Sequence, residues 1–317
     1  MTTYRNRLPQ TSSDLFLADG GLETTLVFDE GLDLPDFAAF VVLDRPEELP
    51  ALDRYYDAYA AVAVRDRVGI VLDTPTWRAS SDWVARQGGG TDEVARINRA
   101  GVELLEAVRR RHETPATPVV INGAIGPRGD GYSPDTFMTA QEARNYHALQ
   151  VRTFADSAAD MVSAITMTYA EEAIGIASAA READIPVVIA FTTETDGVLP
   201  SGQSLADAIG AVDAATDGYP AYYMVNCAHP THFTHVFGTG EEWERRIGGV
   251  RANASTMSHA ELDDAEELDA GDPADLAVRY LELRSLLPEL RVLGGCCGTS
   301  HRHIDAISAE TAGAVRL

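Results

Sequence analysis

The sequence predicts an α/β protein, a single (β/α)8 barrel of the TIM type, and three observations carry that expectation. Short apolar runs alternate with stretches of helical periodicity, the pattern of parallel strands covered on both faces. Eight such runs occur, and 317 residues suit one eight-fold barrel. A doubly wound open sheet would usually carry a glycine-rich dinucleotide loop after its first strand, and Asp19-Gly-Gly-Leu-Glu-Thr24 lacks that spacing.

In chain order, residues 15–19 are the first expected strand, with Gly20 and Gly21 at its end. A helix is expected over 46–68, with Pro46 near its start. The second strand, 69–74, runs into a loop through Pro75 and Trp77. A helix over 93–111 places Val94, Ile97, Val102, Leu105 and Val108 on one face. The third strand, 118–122, opens into a loop beginning Gly123-Ala-Ile-Gly-Pro127, and a helix over 140–158 leads to the fourth strand, 160–166. The rhythm continues with a helix over 171–183, a strand over 185–191, a helix over 204–214 and a strand over 221–226. A weak seventh strand covers 248–252, and the acidic segment 261–275 precedes a helix over 276–286. The eighth strand, 291–293, is followed by a last helix beginning near His303. No linker or low-complexity segment interrupts this order, so residues 1–317 are expected to form one domain.

Composition narrows the function. A net charge of −24 argues against nucleic acid or an anionic membrane surface as partner. All the basic side chains are arginine, from which no mechanism follows. No stretch reaches the length of a membrane span, residues 1–13 lack the apolar core of a signal peptide, and three cysteines do not make a disulfide framework. A reducing cytoplasm is the expected location.

The cysteines are the chemical signal. Cys227 ends the sixth expected strand, and Cys296 and Cys297 follow the eighth within Gly294-Gly-Cys-Cys-Gly298. In a β/α barrel these positions share the catalytic end. Three thiolates suit Zn²⁺ and leave a fourth tetrahedral position for a substrate, which as a thiol would bind in its nucleophilic, deprotonated form. The competing reading makes Cys227 a small core residue and the vicinal pair incidental. His229, His232, His235, His301 and His303 offer a rival zinc site of hydrolase type, although Pro230 after His229 breaks any helical array.

Asp19-Gly-Gly, Asn226-Cys227 with His229-Pro230, and Gly294-Gly-Cys-Cys-Gly-Thr299 closely resemble the homocysteine S-methyltransferase family. The likeness extends to Gly123-Ala-Ile-Gly-Pro127, Tyr146-His147 with Gln150, Asp196-Gly197 and Ser201-Gly202, so it covers nearly the whole chain. The resemblance implies a zinc-dependent barrel in which Cys227, Cys296 and Cys297 hold the metal and homocysteine sulfur completes its shell. It further implies Asp19 and Gly20 as contacts to the amino-acid part of the acceptor, and Asn226 as support for Cys227 or the substrate. Thr74 and Thr76 fall where the family has Thr-Asn-Thr, with Pro75 in the middle here. A larger departure lies at the end of strand four, where Ile165-Thr166 replaces the family's Glu-Thr, whose carboxylate binds the substrate ammonium. Asp73 is the candidate replacement carboxylate.

The expected activity is therefore methyl transfer from a small donor to the zinc-bound thiolate of homocysteine or a related thiol, giving methionine. S-methylmethionine or S-adenosylmethionine is the expected donor, since aromatic faces hold such cations, and Trp77, Trp83, Tyr132 and Tyr169 lie in or near strand-end loops. A zinc hydrolase and a non-catalytic thiol- or metal-binding barrel are the alternatives. The expected partners are thus small molecules, with self-association left open.

Overall fold

The computed structural model describes residues 2–132, 134, 137–265 and 267–314, and its eight strands close into a barrel in sequence order. The strands are β1 (Phe16–Ala18), β2 (Gly69–Asp73), β3 (Val119–Ile125), β4 (Met161–Met167), β5 (Val187–Thr192), β6 (Tyr223–Asn226), β7 (Ile247–Ala252) and β8 (Val292–Gly295). All neighbours are parallel, and closure comes from β1, which pairs Phe16 with both Gly69 and Val292. The expected fold class is the one observed.

Seven longer helices pack outside, at Leu49–Asp66, Thr91–His112, Ala140–Ala155, Ala170–Glu182, Leu205–Thr216, Pro273–Leu286 and His301–Ala314. Each presents an apolar face to the sheet. Val94, Ile97, Val102, Leu105 and Val108 are all buried, as their spacing requires. The helix from Ala140 starts at a reciprocal cap between Thr139 and Glu142.

Several boundaries differ from the expected ones. β3 continues through Gly123-Ala-Ile125 because its pairing with β4 does, from Asn122↔Met161 to Ile125↔Ala164. β8 likewise runs on through its two glycines, pairing Gly294 with Arg251 and Gly295 with Ala252. A Cβ on Gly294 would stand 2.7 Å from Ala18 Cβ and 3.3 Å from Arg251 Cγ, so only glycine leaves room there for the arginine. After β6 the crossover has only a short helix, Pro230–Phe233, and 3₁₀ turns. The acidic segment after β7 contains the short helix His259–Asp263; part of it, Glu266, lies outside the described residues. The turns at Leu22–Thr24 and Thr25–Asp29, and the helix Ser81–Arg86, were not anticipated.

Phe16, Val71, Val120, Met161, Val188 and Val292 fill much of the barrel interior. At the amino-terminal end Asp160, fully buried just before β4, accepts from the N–H groups of Thr3 (3.0 Å), Tyr4 (2.8 Å) and Ile121 (3.0 Å) and pairs with Arg109. No described helix is long and apolar enough to cross a membrane.

Candidate active site

At the other end the strand termini surround a cavity of about 430 Å³. Its floor is the cysteine cluster. Cys227 follows β6 and Cys296 follows β8, and the Sγ atoms of Cys227, Cys296 and Cys297 all lie within 4.8 Å of one another. Among the described residues this is the group of three or more metal-ligating side chains whose donor atoms converge.

The backbone aims the sulfurs. Cys227 has a positive φ of 53°, and its N–H donates to Arg251 O at 3.0 Å. Its carbonyl accepts from Asn253 Nδ2 at 3.0 Å and meets His259 Nε2 at 2.6 Å. Cys296 N–H donates to Ala252 O, and its carbonyl accepts from Thr299 Oγ1 at 2.7 Å. Gly298, at φ 76°, turns the chain back so that Thr299 can make that bond. Two loops far apart in sequence are thus braced by β7 between them.

The structure joins Cys227 and Cys296 in a disulfide, where the sequence reading has three thiolates. Two sulfurs held this close can bond to each other or share a cation, and the pair must be reduced before both can ligate a metal. Reduced, the set fits zinc: tetrahedral Zn–S bonds of about 2.3 Å place neighbouring sulfurs roughly 3.8 Å apart.

This arrangement of three strand-end cysteines coincides with a family match. The homocysteine S-methyltransferase family matches residues 16–311. The chain belongs to that family. It is accordingly a methyltransferase of the homocysteine S-methyltransferase type. Structures of the Escherichia coli homocysteine methyltransferase MmuM share its fold. The metallated form has a TM-score of 0.72 at 20% identity, covering 93% of this chain and 96% of that one. The oxidized form has 0.73 at 19%, covering 95% and 97%, and the apo form 0.67 at 19%, covering 96% and 98%. No curated protein matches.

The other residues singled out from the sequence divide into those facing the cavity and those behind it. Asp19, Gly20, Asp73, Thr74 and Thr166 line it. Asn226 is buried beside them; its Oδ1 accepts from Thr166 N–H at 3.0 Å and its Nδ2 donates to Thr166 Oγ1 at 2.9 Å. That reciprocal pair holds Thr166 at φ 66°, with its hydroxyl 3.9 Å from Cys227 Sγ. Both backbone groups of Gly20 are engaged by the Tyr55 hydroxyl. Thr74 Oγ1 accepts from Ala124 N–H at 3.0 Å and meets Thr76 Oγ1 at 2.6 Å, tying β2 to β3.

Asp19 and Asp73 are both spoken for. Arg251, buried in β7, pairs with Asp19 and reaches Asp73 Oδ2 at 3.3 Å. Asp73 Oδ1 accepts from Asn122 Nδ2 at 2.6 Å, and Asp19 Oδ2 accepts from Asp73 N–H at 3.1 Å. Burial pushes the Asp19 carboxyl up and Arg251 pulls it back. Burial also works against the Arg251 charge, but Asp73 and Asp19 together hold its pKa above that of an ordinary arginine. Sequence reasoning missed Arg251 and the triad it centres, because its partners are distant in the chain.

Among the aromatics, Trp77 and Tyr132 line the cavity. Tyr132 lies against the His259 ring at 4.4 Å, with its hydroxyl 3.8 Å from Cys297 Sγ. Trp83 stands behind the wall between Arg78 and Arg86, and the Tyr169 hydroxyl accepts from Met138 N–H. The histidines of the rival zinc site serve structure. His229 caps the turn at Thr231, His232 meets Thr256 O, His235 meets Asp196 O, His303 meets Ala270 O, and His301 is exposed. His259, which does reach the site, gave no sequence signal beyond its residue type.

Proposed function

We propose that this protein transfers a methyl group from a cationic donor to homocysteine or a closely related amino-thiol, giving methionine or its analogue, with Zn²⁺ held by Cys227, Cys296 and Cys297. The observation that carries the proposal is the convergence of those three sulfurs at the open end of the barrel. Bound zinc would supply a Lewis-acidic position that lowers the pKa of a thiol joining it.

The chain's own residues do the rest. Asn253 and His259 fix the Cys227 carbonyl, Thr299 fixes that of Cys296, and the Asn226–Thr166 pair supports the Cys227 side chain. These contacts set the direction from which an acceptor sulfur must approach. Tyr132 offers an aromatic ring to the positive charge of a sulfonium donor beside Trp77, which already carries Arg78, and that charge disappears from the donor as the methyl leaves. Confinement in the cavity lines up sulfur, methyl carbon and leaving group for displacement.

The test uses protein purified under reducing conditions and loaded with zinc. It is incubated with L-homocysteine and S-methylmethionine, S-adenosylmethionine, betaine or a methylfolate, and methionine is measured by mass spectrometry. One zinc per chain and methionine from one of the two sulfonium donors are expected, with both lost in Cys297→Ser. Full zinc occupancy with no methionine from any donor would overturn the proposal.

A further inference from the structure

Among the described residues six carboxylates line the cavity: Asp19, Glu23, Asp73, Asp130, Glu267 and Asp269. Asp19 and Asp73 share one counter-ion, Arg251. Asp269 accepts from Ser255 Oγ at 2.6 Å and Gly271 N–H at 3.0 Å. Asp130 and Glu267 are exposed at the rim, and Asp130 accepts from Tyr132 N–H. That leaves Glu23, in the turn after β1 and partly open to the cavity. Among the described residues no cation comes within ion-pair distance of its carboxylate, and burial pushes that carboxyl up to about 7.

A matching vacancy exists on the basic side. Arg78 also lines the cavity, stacked on Trp77 at 4.6 Å and on Trp83 at 3.8 Å. The stacking fixes the guanidinium plane, yet its Nε is buried without a hydrogen-bond partner, and among the described residues no carboxylate pairs with it. Asp130 acts on Arg78 most strongly and Glu23 next, and Arg78 and Arg251 act on Glu23, all from beyond ion-pair distance. Leaving one charge of each sign uncompensated in a partly dry cavity is costly unless a ligand supplies the opposite pair. A zwitterionic α-amino acid carries that opposite pair on adjacent groups. A thiol without the amino-acid head, or a ligand with one sign of charge, would answer only half of it.

We propose that Glu23 and Arg78 form the clamp for the amino-acid head of the thiol acceptor, Glu23 taking the ammonium and Arg78 the carboxylate. The proposal rests on the methyl-acceptor reading above. It moves ammonium recognition from the end of β4, where Ile165 is apolar, and from Asp73, already engaged, to the turn after β1. The chemistry suits both partners: a carboxylate accepts from an ammonium, and a guanidinium anchored on two indoles can offer parallel N–H groups to a carboxylate.

The test measures binding to reduced, zinc-loaded protein by calorimetry, with L-homocysteine, 4-mercaptobutyrate (no ammonium) and 3-aminopropane-1-thiol (no carboxylate). Wild type is expected to favour homocysteine over either truncated thiol by about tenfold or more. Glu23→Gln should weaken homocysteine and the aminothiol by about tenfold while leaving 4-mercaptobutyrate unchanged. Arg78→Met should show the converse, weakening homocysteine and 4-mercaptobutyrate and sparing the aminothiol. Glu23→Asp and Arg78→Lys, with zinc content and unfolding midpoint recorded for every variant, guard against a folding defect; partial recovery of selectivity in them supports the clamp. Equal losses for all three thiols, or none, would overturn it, as would a Glu23→Gln defect confined to the sulfonium donor. If wild type holds zinc but binds none of the thiols, the acceptor reading itself fails and the clamp goes with it. Normal homocysteine turnover with unselective variants sinks the clamp alone.

Discussion

At the amino-terminal end of the barrel, Asp160 receives three backbone N–H groups and Arg109, and the first residues of the described chain are tied down by it. At the carboxyl end, Arg251 divides itself between Asp19 and Asp73, while Glu23 and Arg78 face the cavity with no ion-pair partner among the described residues. Both ends bury charge, but the Asp160–Arg109 pair is complete, whereas Glu23 and Arg78 have no ion-pair partner among the described residues. A satisfied network is architecture, whereas unmatched charges kept beside a cavity are held for a ligand. The contrast separates structural acids from functional ones without reference to which residues resemble a family pattern.

The largest effect that tests the contrast lies at the closed end. Asp160→Ala would strand a buried guanidinium and three N–H groups, costing about 3–5 kcal/mol of unfolding free energy in urea titrations. Zinc content and homocysteine affinity of the folded fraction should not change. If they fell in step with stability, the two ends would be coupled and the division drawn here would be wrong. Next comes Arg251→Met. It leaves two neighbouring carboxylates without their counter-ion, but Asp73 borders the cavity and can recover water, so a smaller loss of about 2 kcal/mol is expected. A loss as large as that of Asp160→Ala would mean that the mouth network is as closed as the other end.

The same contrast explains what could be read from the chain beforehand. The barrel was legible because short apolar runs and helical faces are local properties, and the cysteines because residue type and strand-end position sufficed to group them. The ends of β3 and β8 were misjudged at glycines, since pairing with a neighbouring strand, not local composition, decided how far they ran. The roles of the acids were not legible. Asp19 finds Arg251 across 232 positions of sequence, and nothing near either residue announces the pairing. Asp73, a candidate by position, proves to be engaged by Asn122 and Arg251. Glu23 drew no notice because a lone glutamate in a turn after a first strand is ordinary until its lack of a partner can be seen. Residue type locates chemistry that one kind of side chain does alone; recognition by charge depends on what every neighbour has left over.

The smallest effect concerns that leftover charge, and its sign is the informative part. Burial raises the Glu23 carboxyl to about 7, from an unfolded value of about 4.5. Below the lower value the group is protonated in both states and has no effect. As pH rises between the two values, the unfolded chain gives up its proton while the folded chain keeps it, so folding becomes less favourable. Above about 7 the folded protein carries the full cost of a buried carboxylate that Arg78 and Arg251 offset only in part. Glu23→Gln should therefore stabilise the ligand-free, reduced protein at pH 8 by about 1–2 kcal/mol, allowing for partial solvation, and leave stability near pH 4 unchanged. Adding homocysteine to zinc-loaded wild type should erase the gain, because a bound ammonium supplies the missing counter-charge; the variant should respond less. A variant that loses stability at pH 8 would mean that Glu23 already has its partner within the fold, and the cavity would then have no unpaired anion to offer an incoming ammonium.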